Sequence, residues 1–258
     1  MKRYLLILLL ISCKALYAQS TMDIYFNNGS KIQYQINDID TITYKSVNCP
    51  TTVTDVEGNM YNTIQIGYQC WMKENLKTGH YQNGAPILTG LASNVWMLTN
   101  PGACEDYNFD STISNIYGKL YNFPAIVNAA GLCPVGWHIP SKSEWNVLIK
   151  TVDSNADTSL VLNTNQGGAY KEIGTTYWLS PNTGATNTTG FSALPGGYRD
   201  EYGDFQNLTY TSQWWSTSIQ YNLYYYDGVS VKLSWNNSLI KNYLASLSAG
   251  LSVRCVKD

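Results

Sequence analysis

Residues 137–152, "WHIPSKSEWNVLIKTV", restrict the fold more than any other stretch of the chain. Ser141 and Glu144 have the S-x-x-E spacing of a capping box, directly after Pro140. A hydroxyl at the N-cap and a carboxylate three residues later can each satisfy a backbone amide that a first helical turn leaves without a partner. Trp145, Leu148, Ile149 and Val152 follow at i, i+3, i+4 and i+7. That period predicts a helix that buries one apolar stripe. A second helix is expected within residues 117–131, "YGKLYNFPAIVNAAG". There Tyr117, Leu120 and Tyr121 are spaced for one face, Pro124 sits in the first turns or kinks it, and Gly131 can end it. Beyond about residue 165 the helical signal stops. "YTSQWWSTSI", "LYYYDGVSVKLSW" and "LSVRCVKD" read as strands of a closing sheet, with Asp227-Gly228 as a two-residue hairpin turn. Two helices set among many strands make an α+β chain.

The ends of the chain follow different rules. Lys2 and Arg3, then the apolar "YLLILLLIS", then a small-residue site after Ala18, form a signal peptide over residues 1–18. "LISC", Leu10 to Cys13, resembles a bacterial lipobox and offers a competing leader, in which Cys13 carries a lipid anchor. Either leader takes the chain out of the cytoplasm, to the envelope surface or beyond. No later segment is long and apolar enough to span a membrane. Residues 19–45 alternate like strands around Asn27-Asn28-Gly29 and read as a small β-appendage. They resemble short N-terminal segments of exported Bacteroidetes proteins. Residues 46–52 read as a linker, and 53–258 as the main domain. Asp55 and Glu57-Gly58-Asn59 mark a hairpin turn near its start.

Composition excludes several functions. Charged residues are 13% of the chain and the net charge is −2, so nothing neutralises phosphates and nucleic acid is not an expected partner. Low charge with 21 Tyr and 8 Trp indicates a folded, polar-aromatic surface. No P-loop, Rossmann or G-x-S-x-G fingerprint occurs. Export permits disulfides. Cys49, Cys70, Cys104, Cys133 and Cys255 lie beyond the leader, an odd number, so one stays free or pairs outside the chain. Cys49 and Cys70 flank the first hairpin and are expected to pair. Cys70–Cys104 competes, because "GYQCW" and "GACEDY" can meet before the first helix.

"TVTDVEGNMYNTIQIGYQCWMKENLKTGHY", "YGKLYNF", "GLCPVGWHIPSKSEW", "GFSALPGGYRD", "QWWSTS" and "SVRCVKD" occur in this order through most of the chain. Together they resemble the Fibrobacter succinogenes major paralogous domain, a family placed in the C-type-lectin-like superfamily. "GWHIPSKSEWNVL" is also similar to the helix start of formylglycine-generating sulfatase-modifying domains. The resemblance implies two helices around a twisted, mostly antiparallel sheet with long loops. It implies that Cys133 bridges Cys255, and it brings no catalytic activity. Cys133 with His138 otherwise has the makings of a nucleophile and its base. With Cys133 bridged, His138 becomes a packed or hydrogen-bonded residue.

Other chemistry is sparse. Asp200, Glu201 and Asp204 in "YRDEYGDF" are the carboxylates a glycosidase would need, or a solvated turn. Asp106, Asn108 and Asp110 have the D-x-N-x-D spacing of a calcium loop, but Ser111 replaces its glycine and Tyr117 its bidentate glutamate. Calcium is the one cofactor the sequence raises. Strand alternation sends Trp214 and Trp215 to opposite faces, and core packing is expected for both. Tyr224 and Tyr226 share a parity and are the expected surface aromatics. The expectation is a non-catalytic exported module that binds a glycan or a surface protein. A carbohydrate-active enzyme and a purely structural surface protein are the alternatives.

Overall fold

The computed structural model describes residues 21–25, 30–36, 48–157, 163–222 and 225–258. The chain separates into two compact units, residues 1–46 and 47–258. In the first, β1 (Thr21–Tyr25) pairs antiparallel with β2 (Lys31–Gln35), with Ile24 opposite Ile32. The leader, Cys13, the Asn27-Asn28-Gly29 turn and the third stretch of the appendage lie outside the described residues.

The second unit opens with a meander of β3 (Thr52–Thr54), β4 (Met60–Ile66) and β5 (Gln69–Met72). Its first turn is built on Asp55. One carboxylate oxygen accepts the amides of Glu57 and Asn59 at 3.0 and 2.9 Å; the other accepts the Tyr61 hydroxyl at 2.6 Å. Short elements follow: α1 (Ser93–Trp96), β6 (Cys104–Glu105), α2 (Ser111–Tyr117), β7 (Leu120–Tyr121), α3 (Phe123–Ile126) and β8 (Trp137–His138). Helix α4 (Lys142–Lys150) is the longest. Beyond it come β9 (Asn163–Thr164), β10 (Tyr198–Arg199), β11 (Phe205–Gln206), β12 (Thr211–Asn222), β13 (Tyr225–Ser234), β14 (Ile240–Ser246) and β15 (Val256–Lys257). Two antiparallel sheets dominate, in the orders β3-β4-β5-β15-β8 and β12-β13-β14-β9. Few helices beside antiparallel sheets make the α+β class. The C-terminal strand lies between β5 and β8, so the chain's last residues close its first sheet.

Three expectations are corrected. The helix expected over 117–131 does not form as one element. Helix α2 ends at Tyr117 because Gly118 has φ 80, and a Cβ there would lie 2.6 Å from the Asn75 side chain. Leu120 and Tyr121 instead pair with Glu105 and Cys104. The Asn122 side chain then accepts the Ala125 amide and starts a one-turn helix carrying Pro124. Asp227-Gly228 is not a hairpin turn. Both residues lie within β13, opposite Gln220 and Ile219, and the pairing runs on to Asn222 and Tyr225. Gly228 is needed for packing: a Cβ there would meet the Trp215 ring at 2.5 Å and the Phe123 ring at 2.9 Å. Nor is 46–52 a free linker, since Cys49 is bonded to Cys70 and Thr52 begins β3.

Strand β12 separates two cores. Trp214 faces a cluster of rings: Trp145 lies 5.8 Å from it and 4.7 Å from Trp71, while Phe191 lies 5.7 Å from Trp214. Trp215 faces the other way, onto Phe123 at 5.3 Å. Each indole N–H finds an acceptor, Asn75 for Trp214 and the Tyr121 carbonyl for Trp215, as buried indoles require. The strand's register shifts between Trp215 and Ile219. That bulge frees backbone and hydroxyl groups that receive the start of α4. Thr217 donates its amide to the Pro140 carbonyl, and the Lys142 amide donates to the Ser218 hydroxyl, both at 3.0 Å.

The capping box forms as the spacing predicts. The Glu144 amide donates to the Ser141 hydroxyl at 3.3 Å, and the Ser141 amide donates to the Glu144 carboxylate at 2.7 Å. Ser141→Ala is expected to cost about 1 kcal/mol, read from the midpoint of urea unfolding with an unchanged slope.

Candidate functional site

Cys133 and His138 come close to a catalytic arrangement in sequence but not in space. The Cys133 sulfur is bonded to Cys255. His138 ends β8 next to β15, so one ring nitrogen meets Asp258 at 2.5 Å. The other meets Glu144, from the first turn of α4, at 2.7 Å. Burial pulls the His138 ring down, but the two carboxylate hydrogen bonds outweigh it and its pKa is raised. Burial pushes Glu144 up, but bonds from Ser141 and His138 outweigh it and its pKa is lowered. The imidazole is a clamp between the C-terminus and the helix start, with no nitrogen left to serve as a base. The raised His138 pKa gives stability that is full below the ordinary histidine value and lost as pH rises through the folded value. The lowered Glu144 pKa gives stability present above the ordinary carboxylate value and lost as pH falls. His138→Gln should therefore destabilise most between about pH 5 and 6.5, and less toward pH 9 or pH 3. Chemical denaturation across pH checks this, and a pH-independent difference contradicts it.

Beside the clamp lies an open cleft of about 450 Å³, bordered by Gln82, Trp137, His138, Ser141, Glu144 and Thr217. A neighbouring hollow shares Gln82, Leu132 and Cys133 and reaches Asp55. The Gln82 side chain donates to the Cys133 carbonyl at 2.9 Å and borders both hollows. The first cleft falls in the size range of small-ligand sites.

The other candidate residues are engaged in structure. Asp106 pairs with Lys119 at 2.6 Å. Asp110 caps α2, accepting the amide and hydroxyl of Thr112 at 2.9 and 2.6 Å, which holds its carboxyl below the usual range. Asn108 occupies a left-handed turn with φ 53 between them. Asp106 and Asp110 thus stand at the starts of a one-turn 3-10 helix and of α2. No group of three metal-ligating side chains occurs among the described residues. Asp200 caps its own turn: one oxygen accepts the Tyr202 and Asp204 amides at 3.1 and 2.9 Å, and the other accepts the Gln206 amide group. Asp204 is exposed and adds its backbone to that turn. Tyr226 is 55% exposed and stacks obliquely on Tyr221, with centroids 5.1 Å apart. Tyr224 lies outside the described residues.

Sequence reading missed three buried cations. The Lys171 ammonium donates to the carbonyls of Thr183, Ser234 and Asn237 at 2.7, 3.2 and 3.1 Å. Burial pushes it down to about 8, and the three carbonyls use all its donors. Arg254 gives two donors to the Asn75 side chain and lies 4.2 Å over the Phe191 ring. Burial pushes it down to about 9. Arg199 donates to the carbonyls of Gly203 and Leu91 and lies 4.3 Å over Trp96 and 4.7 Å over Phe205. Carbonyls and ring faces stand in for carboxylates at all three. For Lys171 and Arg199 a signal was present, since each sits in a block containing glycine and an aromatic, "GGAYKE" or "GGYRD"; "SVRCV" around Arg254 has neither.

These features define a disulfide-stapled α+β domain whose cores are built from aromatic rings and buried cations. The chain belongs to the Fibrobacter succinogenes major domain family, which matches residues 64–257. No curated protein and no solved structure matches it.

Proposed function

We propose that the chain is an exported, non-catalytic binding module of a cell envelope, with a C-type-lectin-like arrangement and a glycan or surface-protein ligand. The observation that carries this reading is the state of the Cys133–His138 pair. The sulfur is held in a disulfide and both imidazole nitrogens face carboxylates. The set of side chains closest to a nucleophile and base is therefore committed to the scaffold. Two disulfides support an oxidising compartment. Among the described residues no helix is long and apolar enough to cross a membrane. Export through residues 1–18, or anchoring through Cys13, is part of the proposal, and the mass of the mature N-terminus separates the two.

The test is an array of glycans and envelope polysaccharides probed with the mature protein, followed by product analysis of each bound glycan. Binding without cleavage is expected. Turnover of any glycan, abolished by Asp200→Asn, would make the chain a carbohydrate-active enzyme. No glycan or surface-protein binding would leave a purely structural role.

A further inference from the structure

Strands β12, β13 and β14 align Gln213, Lys232 and Lys241 in one row across the sheet. Two lysines directly opposite each other on one face repel, and sheets normally place an acid in such a pair. Neither ammonium has a hydrogen bond or ion pair among the described residues. Lys232 is half-buried and lies between two tyrosines, 5.6 Å from the Tyr198 ring centroid and 5.1 Å from that of Tyr243. Burial and then the neighbouring Lys241 charge lower its pKa, as expected of a cation with no counter-ion. Other cations inside the domain are paired. Lys171, Arg199 and Arg254 have carbonyl acceptors, and Lys119 has Asp106. Among the described residues Lys232 meets only ring faces.

We infer that Lys232 and Lys241, flanked by Tyr198 and Tyr243, form a site for the carboxylate of an acidic sugar within a glycan. The chemistry fits in three respects. Paired ammoniums supply several donors for two carboxylate oxygens. Tyr243 is 49% exposed, and tyrosine presents an apolar face with a polar tip, suited to the face and hydroxyls of a sugar ring. The Tyr198 hydroxyl is already held by Asn207 at 3.2 Å, which fixes that ring in place. Two lysines in a chain of net charge −2 cannot support the multi-phosphate contacts a nucleic acid needs. An acidic peptide would use the charges but not the ring faces.

This inference rests on the glycan-binding reading and names the class of glycan. The experiment is titration of the full mature chain with a galacturonic acid tetramer, its methyl-esterified form and a tetra-glutamate peptide. Binding of the free acid is expected, at least tenfold weaker for the methyl ester and for the peptide, and weaker at high salt. Lys232→Gln and Lys241→Gln should each reduce acid binding tenfold or more, while Lys232→Arg keeps part of it. Thermal melts of both variants check that the fold is kept, and Tyr68→Ala, at an 83% exposed residue on the β4–β5 turn of the other sheet, should bind normally. Equal binding of acid and ester, or undiminished binding by both glutamine variants, overturns the site. Equal binding of the peptide overturns the sugar assignment. A chain that binds neutral glycans on the array but not the acid contradicts this inference alone. A chain that binds no glycan or protein contradicts the functional reading as well.

Discussion

Replacing Cys133 and Cys255 together by alanine is expected to lower stability by about 4–5 kcal/mol. The bond closes a loop with a sequence separation of 122. In the chain-entropy account, the longer the closed loop, the more freedom the bond removes from the unfolded chain. It also ties the approach to β8 to the approach to β15, neighbouring strands of the first sheet. Both cysteines are buried among the rings beneath Trp215. The Cys49–Cys70 bond spans only 21 residues, so removing it should cost less, about 3 kcal/mol. Paired unfolding curves of the two double-alanine variants measure the difference. An equal or larger loss for the short loop would contradict the assignment of the long bond as the main staple.

Trp145→Ala is expected to cost about 3–5 kcal/mol. The side chain is wholly buried, lies 4.7 Å from Trp71, and donates its indole N–H to the Trp215 carbonyl at 3.2 Å. Truncation empties a space bounded by rings that cannot easily collapse, and takes a hydrogen bond from a carbonyl on strand β12. Trp145→Phe keeps part of the ring packing and loses the hydrogen bond, so it should cost markedly less. Ligand affinity of the folded fraction should be unchanged in both. If Trp145→Ala left the melting temperature in place and removed a ligand, the residue would be a surface contact and the helix account would be wrong.

What could be read from the sequence was local. Ser141, Glu144 and the Trp145 stripe lie within one short segment, so their spacing alone fixes the helix and its buried face. Strand alternation placed Trp214 and Trp215 on opposite sides for the same reason. Gly228 was misread because Asp-Gly is a local turn signal, whereas the glycine answers to the Trp215 and Phe123 rings. The 117–121 spacing fits a helix, yet Gly118 and Asn122 break it and leave a strand. Arg254 was illegible because its partner is remote: it meets Asn75 across 179 positions. The lysine row needed strand register, which no short motif carries.

The central claim is that Cys133 and His138 belong to the scaffold, and native thiol labelling with non-reducing peptide mapping tests it most directly. The account predicts a Cys133–Cys255 linked peptide and no alkylation of Cys133 in the folded protein. Cys104, buried and with its thiol pushed up to about 12, should label only after unfolding. Alkylation of Cys133 in the native protein, suppressed by His138→Gln, would contradict the account and restore the nucleophile.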